Sequence, residues 1–123
     1  MKVLKPPCVL VVDDDRNIRE LCAVVLRDDD GYRVQTAVNG QDALDQLGCA
    51  PDLILLDLGM PLMDGREFVA QLRRVPKYES TPVLVMTAAL GIGPVQGTQG
   101  TIQKPFENEA LLGRIAGLLA PTA

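Results

Sequence analysis

The segment from Pro51 to Gly65, PDLILLDLGMPLMDG, constrains the fold more tightly than any other stretch of the chain. Leu53, Ile54, Leu55 and Leu56 follow one another with no polar alternate, and turn formers bracket them: Pro51 before, and Gly59, Pro61 and Gly65 after. Such a run suits a strand covered on both faces, as the parallel strands of α/β proteins are. It stops on a single carboxylate, Asp57, which places that group at the strand's carboxyl end. In open α/β sheets ligands bind at that edge. A purely local role is the alternative, because aspartate in a turn also accepts backbone N–H bonds.

The same logic recurs along the chain. Cys8-Val9-Leu10-Val11-Val12 is an apolar run that ends in Asp13, Asp14 and Asp15. Ile18, Leu21, Cys22, Val25 and Leu26 then follow at helical spacing, with Asp15 placed to cap the helix. The second acidic run, Asp28-Asp29-Asp30, falls where that helix should close and reads as a solvated loop. Tyr32 to Ala37 is a weakly alternating second strand, and Asn39-Gly40 opens a short helix with Ala43, Leu44 and Leu47 on one side and Gly48 as its stop. After the Asp57 loop, Phe68, Val69, Leu72 and Val75 mark a third helix starting near Asp64 or Gly65 and ended by Pro76. Thr81 to Met86 is a further strand, delivering Thr87 to its carboxyl end.

Leu90 to Gly100, LGIGPVQGTQG, breaks the pattern. Each glycine in a helix there would cost about 1 kcal/mol and the proline about 3 kcal/mol, so no full helix is expected. Thr101-Ile102-Gln103 forms a short fifth strand ending at Lys104-Pro105-Phe106. Leu111, Leu112, Ile115, Leu118 and Leu119 give a last amphipathic helix that stops before Pro121. Strands alternating with helices over short connections require right-handed crossovers and a parallel sheet. With both faces covered, the expectation is a three-layer α/β sandwich.

Composition narrows the chemistry. The 123 residues fit one domain, and a single domain over 1–123 with its core at about 8–119 and no output domain is expected. A formal charge of −4, with no long basic run, gives no electrostatic footprint for nucleic acid or an anionic membrane. No segment is long and apolar enough for a membrane span or a signal peptide, so a cytoplasmic location is expected. The three cysteines, Cys8, Cys22 and Cys49, have no CxxC spacing and read as small buried hydrophobes. The absence of histidine removes the commonest general base and every Ser/His or Cys/His nucleophile pair.

Four strand ends thus carry Asp13 with Asp14, Asp57, Thr87 and Lys104, and in one parallel sheet those ends share an edge. Three carboxylates brought together repel, so one takes up a proton unless a cation neutralises them. An all-oxygen cluster suits Mg²⁺, which binds through one or two carboxylates plus a phosphoryl oxygen. Lys104 adds a positive charge and Thr87 a hydroxyl donor. Together these are the groups needed to transfer a phosphoryl group onto a carboxylate. The bland alternative is an acidic loop edge neutralised by one lysine.

With VVDDD at 11–15, DLILLDLGMPLMDG at 52–65, Met86-Thr87-Ala88 and Lys104-Pro105-Phe106, the chain resembles the receiver domain of two-component response regulators from about Cys8 to Leu119. The resemblance implies a flavodoxin-like five-stranded parallel sheet of order 2-1-3-4-5. It implies Asp57 as phosphoryl acceptor, and Mg²⁺ held by Asp13, Asp14, Asp57 and the backbone carbonyl of Gly59. Thr87 and Lys104 would bind phosphoryl oxygens. The donor implied is a phosphohistidine on a histidine kinase or phosphotransfer protein, with signalling through a downstream protein partner. The chemistry would be the domain's own phosphorylation and dephosphorylation, not turnover of an external substrate.

Two departures stand out. The family's fourth helix is expected to be shortened or irregular in Ala88–Gly100, and Thr101 stands where the family commonly has Tyr or Phe. An order–disorder change in 88–100 is therefore expected in place of a ring rotation. A haloacid dehalogenase-type phosphohydrolase is the competing enzyme reading, but that class wants a second acid two residues after the nucleophile, where this chain has Gly59. A degenerate receiver that only binds a partner is the third reading.

Overall fold

In the computed structural model, residues 6–59, 65–89, 93 and 95–119 are described, the side chains of Asp29 and Asp30 excepted. Expectations that fall on 60–64, 90–92, 94 and 120–123 lie outside the described residues; among them are a helix start at Asp64 and the stop before Pro121.

Five strands form one parallel sheet: β1 (Cys8–Val12), β2 (Arg33–Ala37), β3 (Leu53–Asp57), β4 (Val83–Thr87) and β5 (Gly100–Gln103). Their order is β2-β1-β3-β4-β5, as expected from the resemblance. β3 is central, and its Leu53, Ile54, Leu55 and Leu56 have no solvent exposure. Burying each such side chain contributes roughly 1.5–3 kcal/mol, which explains a run without polar alternates.

Successive strand residues point to opposite faces, and each face has its own cover. Val9, Val11, Leu53, Leu55, Leu84 and Met86 pack with α1 (Arg16–Asp30) and the C-terminal helix α4 (Asn108–Leu119) through Cys22, Leu26, Leu111 and Ile115. Leu10, Val12, Ile54, Leu56, Val83 and Val85 pack with α2 (Gly40–Asp45) and α3 (Gly65–Arg73) through Ala43, Phe68, Val69 and Leu72.

Between β4 and β5 no helix is found among the described residues, in line with the glycines and proline there. Val95 of that connection is buried and belongs to the same apolar cluster as Val69, Val83 and Val85.

Several local expectations are corrected. Asp28–Asp30 is not a loop but the last turn of α1, which runs to Asp30. The stop comes one residue later, at Gly31 with φ 68°, where the Gly31 N–H donates to Arg27 O and the Tyr32 N–H to Leu26 O. That left-handed cap satisfies two terminal carbonyls and outweighs the poor helix propensity of three aspartates. Leu21 was expected inward but is 45% exposed; at 100° per residue the inner face centres on Cys22 and Leu26 and takes in Ala23 instead. α2 ends at Asp45, before Gly48, and a 3₁₀ turn over Leu47–Cys49 follows. Val75 is exposed and Pro76 begins a second 3₁₀ turn, Pro76–Tyr78, whose buried Tyr78 hydroxyl donates to Leu47 O at 2.7 Å.

Gly31→Ala should lower the unfolding free energy by about 1 kcal/mol, because alanine carries a steric cost in the left-handed region. Urea unfolding of the two proteins measures this. An unchanged midpoint would show that the cap does not fix the end of α1.

Candidate functional site

Strand register assembles the site. Val12 pairs with Leu56, so the next residues, Asp13 and Asp57, leave adjacent strands side by side at the carboxyl edge. Asp57 pairs with Met86 and Thr87 with Gln103, which sets Thr87 and then Lys104 along the same edge. Asp13, Asp14, Asp57 and Lys104 come together, and Thr87 ends the strand next to that of Asp57. A carboxylate oxygen from each of Asp13, Asp14 and Asp57 lies within 4.8 Å of the others.

Asp13 has no solvent exposure, and its carboxylate is fully engaged. Oδ2 accepts from Lys104 Nζ at 2.6 Å, and Oδ1 accepts the Asp15 N–H at 2.9 Å. Lys104 Nζ also lies 3.5 Å from Asp57 Oδ1, so one ammonium bridges two acids. The Asp57 side chain is 13% exposed, and the Gly59 N–H reaches its Oδ1 over a long 3.4 Å. Thr87 is buried, and its Oγ1 accepts the Ala89 N–H at 3.1 Å. The Lys104–Pro105 peptide bond is cis.

The electrostatics follow from this crowding. Burial, then the neighbouring Asp13 charge and more weakly Asp14, push the Asp57 carboxyl above the usual carboxylate range, while Lys104 and the Gly59 N–H act against them. Burial disfavours the Lys104 ammonium, but its ion pairs with Asp13 and Asp57 outweigh that and raise its pKa. The unbalanced negative charge and the all-oxygen donor set fit a hard divalent cation. Gly59 is exposed with open space around it, so its backbone is accessible.

One supporting residue escaped the sequence reading. Arg19 Nη1 donates to the Asp13 backbone carbonyl at 2.9 Å, fixing the turn that carries two of the three acids. Its signal was present: Arg19 lies one turn before Cys22 and Ala23 on the inward stripe of α1, where a charge needs a partner. The cysteines are unremarkable. All three are free; Cys8 and Cys22 are buried as expected, whereas Cys49, in the 3₁₀ turn, is only partly buried, and burial pushes the Cys22 and Cys49 thiols up to about 11. Among the described residues no helix is long and apolar enough to cross a membrane.

The family model of the response regulator receiver domain matches residues 9–116. The response regulator MprA of Mycolicibacterium vanbaalenii is 39% identical over 123 residues, covering 95% of this chain and 52% of that protein. The MprA of Mycobacterium avium is 39% identical over 120 residues, covering 93% and 51%. The chain thus spans about half the length of these curated relatives. Among solved structures, the chemotaxis response regulator CheY4 of Vibrio cholerae superposes with a TM-score of 0.86 at 36% identity, covering 94% of this chain and 100% of that one. The response regulator TrrA of Thermotoga maritima, solved in complex with Mg²⁺ and BeF, gives 0.81 at 31% identity, covering 92% and 99%. The matched model is that of the receiver, so the hydrolase and binding-only readings gain no support.

A carboxyl whose pKa rises on folding loses stability as pH climbs from its unfolded value to its raised folded value. Asp57→Asn removes that loss. At neutral pH the variant should melt above the wild type, and the gap should close as pH falls below the ordinary carboxylate range. Thermal melts across pH measure it; a gap independent of pH would contradict charge crowding as the cause.

Proposed function

The chain belongs to the response regulator receiver domain family, and from that we propose that it takes a phosphoryl group from a phosphohistidine of a histidine kinase or phosphotransfer protein onto Asp57. The observation that carries the reading is the placement of Asp57: a largely buried carboxylate beside two more acids, with one ammonium 3.5 Å away and a threonine hydroxyl on the next strand.

In the step proposed, an ionised Asp57 oxygen attacks the donor phosphorus. A P–O bond forms as the P–N bond breaks, and the bonding pair stays on the imidazole nitrogen, which takes up a proton. Lys104 balances charge on the phosphoryl oxygens, already positioned by its bond to Asp13. Thr87 donates its hydroxyl hydrogen to a second phosphoryl oxygen. Asp13 orients Lys104.

A divalent cation, Mg²⁺ by the choice of oxygen ligands, would be held by Asp13, Asp14, Asp57 and the carbonyl of Gly59, and when bound would offset the phosphoryl charge. The complex of TrrA with Mg²⁺ and BeF supports this assignment. The chemistry is confined to forming and losing the aspartyl phosphate, and the output is a protein contact, with no direct role for nucleic acid or membrane. The family points to the cytoplasm as the place of action.

Acetyl phosphate with Mg²⁺ should label the wild type, and Asp57→Asn should abolish labelling with the fold intact. Asp14→Ala should weaken Mg²⁺ by at least about tenfold, since even outer-shell losses cost that much. Calorimetry reads the affinity, there being no tryptophan to report it. Labelling that persists in Asp57→Asn would refute the assignment, and unchanged affinity in Asp14→Ala would remove that residue from the cation site.

A further inference from the structure

The connection between β4 and β5 lacks a helix among its described residues, yet its second half is tightly held. Arg73, the last residue of α3, spends its guanidinium on that task. Nε and Nη2 both donate to Gly97 O, at 3.1 and 2.6 Å, and Nη2 also reaches Gln99 Oε1 at 3.2 Å. Nη1 donates to Tyr78 O at 2.7 Å. The same Gln99 oxygen accepts the Val83 N–H at 2.7 Å, and the Gln99 N–H donates to Val83 O at 2.9 Å. One fork thus ties α3, the Tyr78 turn and the start of β4 to residues 97–99.

Backbone geometry supports the tie. Gly97 has φ 82°, and a Cβ there would meet Val69 Cγ1 at 2.8 Å. The chain can lie this close to α3 only as glycine. Thr98 adds its own closure, N–H and Oγ1 both donating to Val95 O, at 3.1 and 2.7 Å. Toward the other end of the connection the Ala89 N–H donates to Thr87 Oγ1 at 3.1 Å.

We propose that Arg73 is a positioning residue, a latch that fastens residues 97–99 to α3 so that movement begun at Thr87 does not carry them with it. The proposal rests on the reading of Thr87 as a ligand of the phosphoryl group. When the hydroxyl turns toward phosphate, Ala89 loses its acceptor. Arg73 offers planar, multiple donors to three acceptors on two segments, a geometry lysine cannot copy. Residues 97–99 therefore stay in place.

Amide hydrogen exchange on the whole chain tests this in two arms. Without any phosphoryl analogue, Arg73→Met should lower protection of the Thr98 and Gln99 amides by about tenfold or more, with the amides of β1 and β3 nearly unchanged. Gly97→Ala, which strikes the same contact from the other side, should lower the same two. With Mg²⁺ and beryllofluoride, the wild type should change at Ala89 but not at Thr98 or Gln99, whereas in Arg73→Met the change should spread to both. A uniform loss of protection in both variants, or a wild-type response at Gln99 as large as at Ala89, would overturn the latch. If Ala89 is silent in every protein while the first arm succeeds, the reading of Thr87 fails and not the attachment by Arg73.

Discussion

A carboxylate with no solvent exposure is costly unless paired, and Asp13 is paired by Lys104 reaching along the sheet edge past β4 and β3 to within 2.6 Å. Removing Lys104 would leave the buried Asp13 charge uncompensated, typically a loss of about 3–5 kcal/mol. The pair also fixes geometry. It demands that β5 end where its lysine can span the edge, that β1 end where its aspartate faces inward, and that β3 lie between them. Asp57 is thereby placed against both charges, and the chemistry follows from that confinement.

The fold was legible where burial on two faces dictates sequence. Leu53–Leu56 and Cys8–Val12 read as covered parallel strands because any half-exposed strand would have alternated, and both lie in the interior. Asp13, Asp14, Asp57, Thr87 and Lys104 converge because strand ends in one parallel sheet must share an edge. Less was legible where local propensity and tertiary context disagree. The Asp28–Asp30 run looked like a loop by composition, but Gly31 governs where α1 stops. Leu21 fitted a helical spacing, yet faces solvent.

Two arginines show a different limit. Arg19 and Arg73 donate mostly to backbone carbonyls, and such partners leave no trace in the sequence of side chains. Arg19 could be suspected from its inward position on α1. Arg73 could not, because its partners lie in a stretch whose glycines and proline suggested only irregularity. That stretch is irregular among its described residues, and from Gly97 to Gln99 it is also held fast. Absence of a helix and absence of order are separate properties.

Asp57, and no other group at this sheet edge, is the site proposed for an acyl phosphate. The most direct measurement is chemical trapping: protein treated with acetyl phosphate and Mg²⁺ is reduced with borohydride, which converts an aspartyl phosphate to homoserine, and the modified residue is located by peptide mass spectrometry. Homoserine at position 57 alone is the result predicted. Homoserine at position 13 or 14, or a modified threonine with position 57 intact, would contradict it.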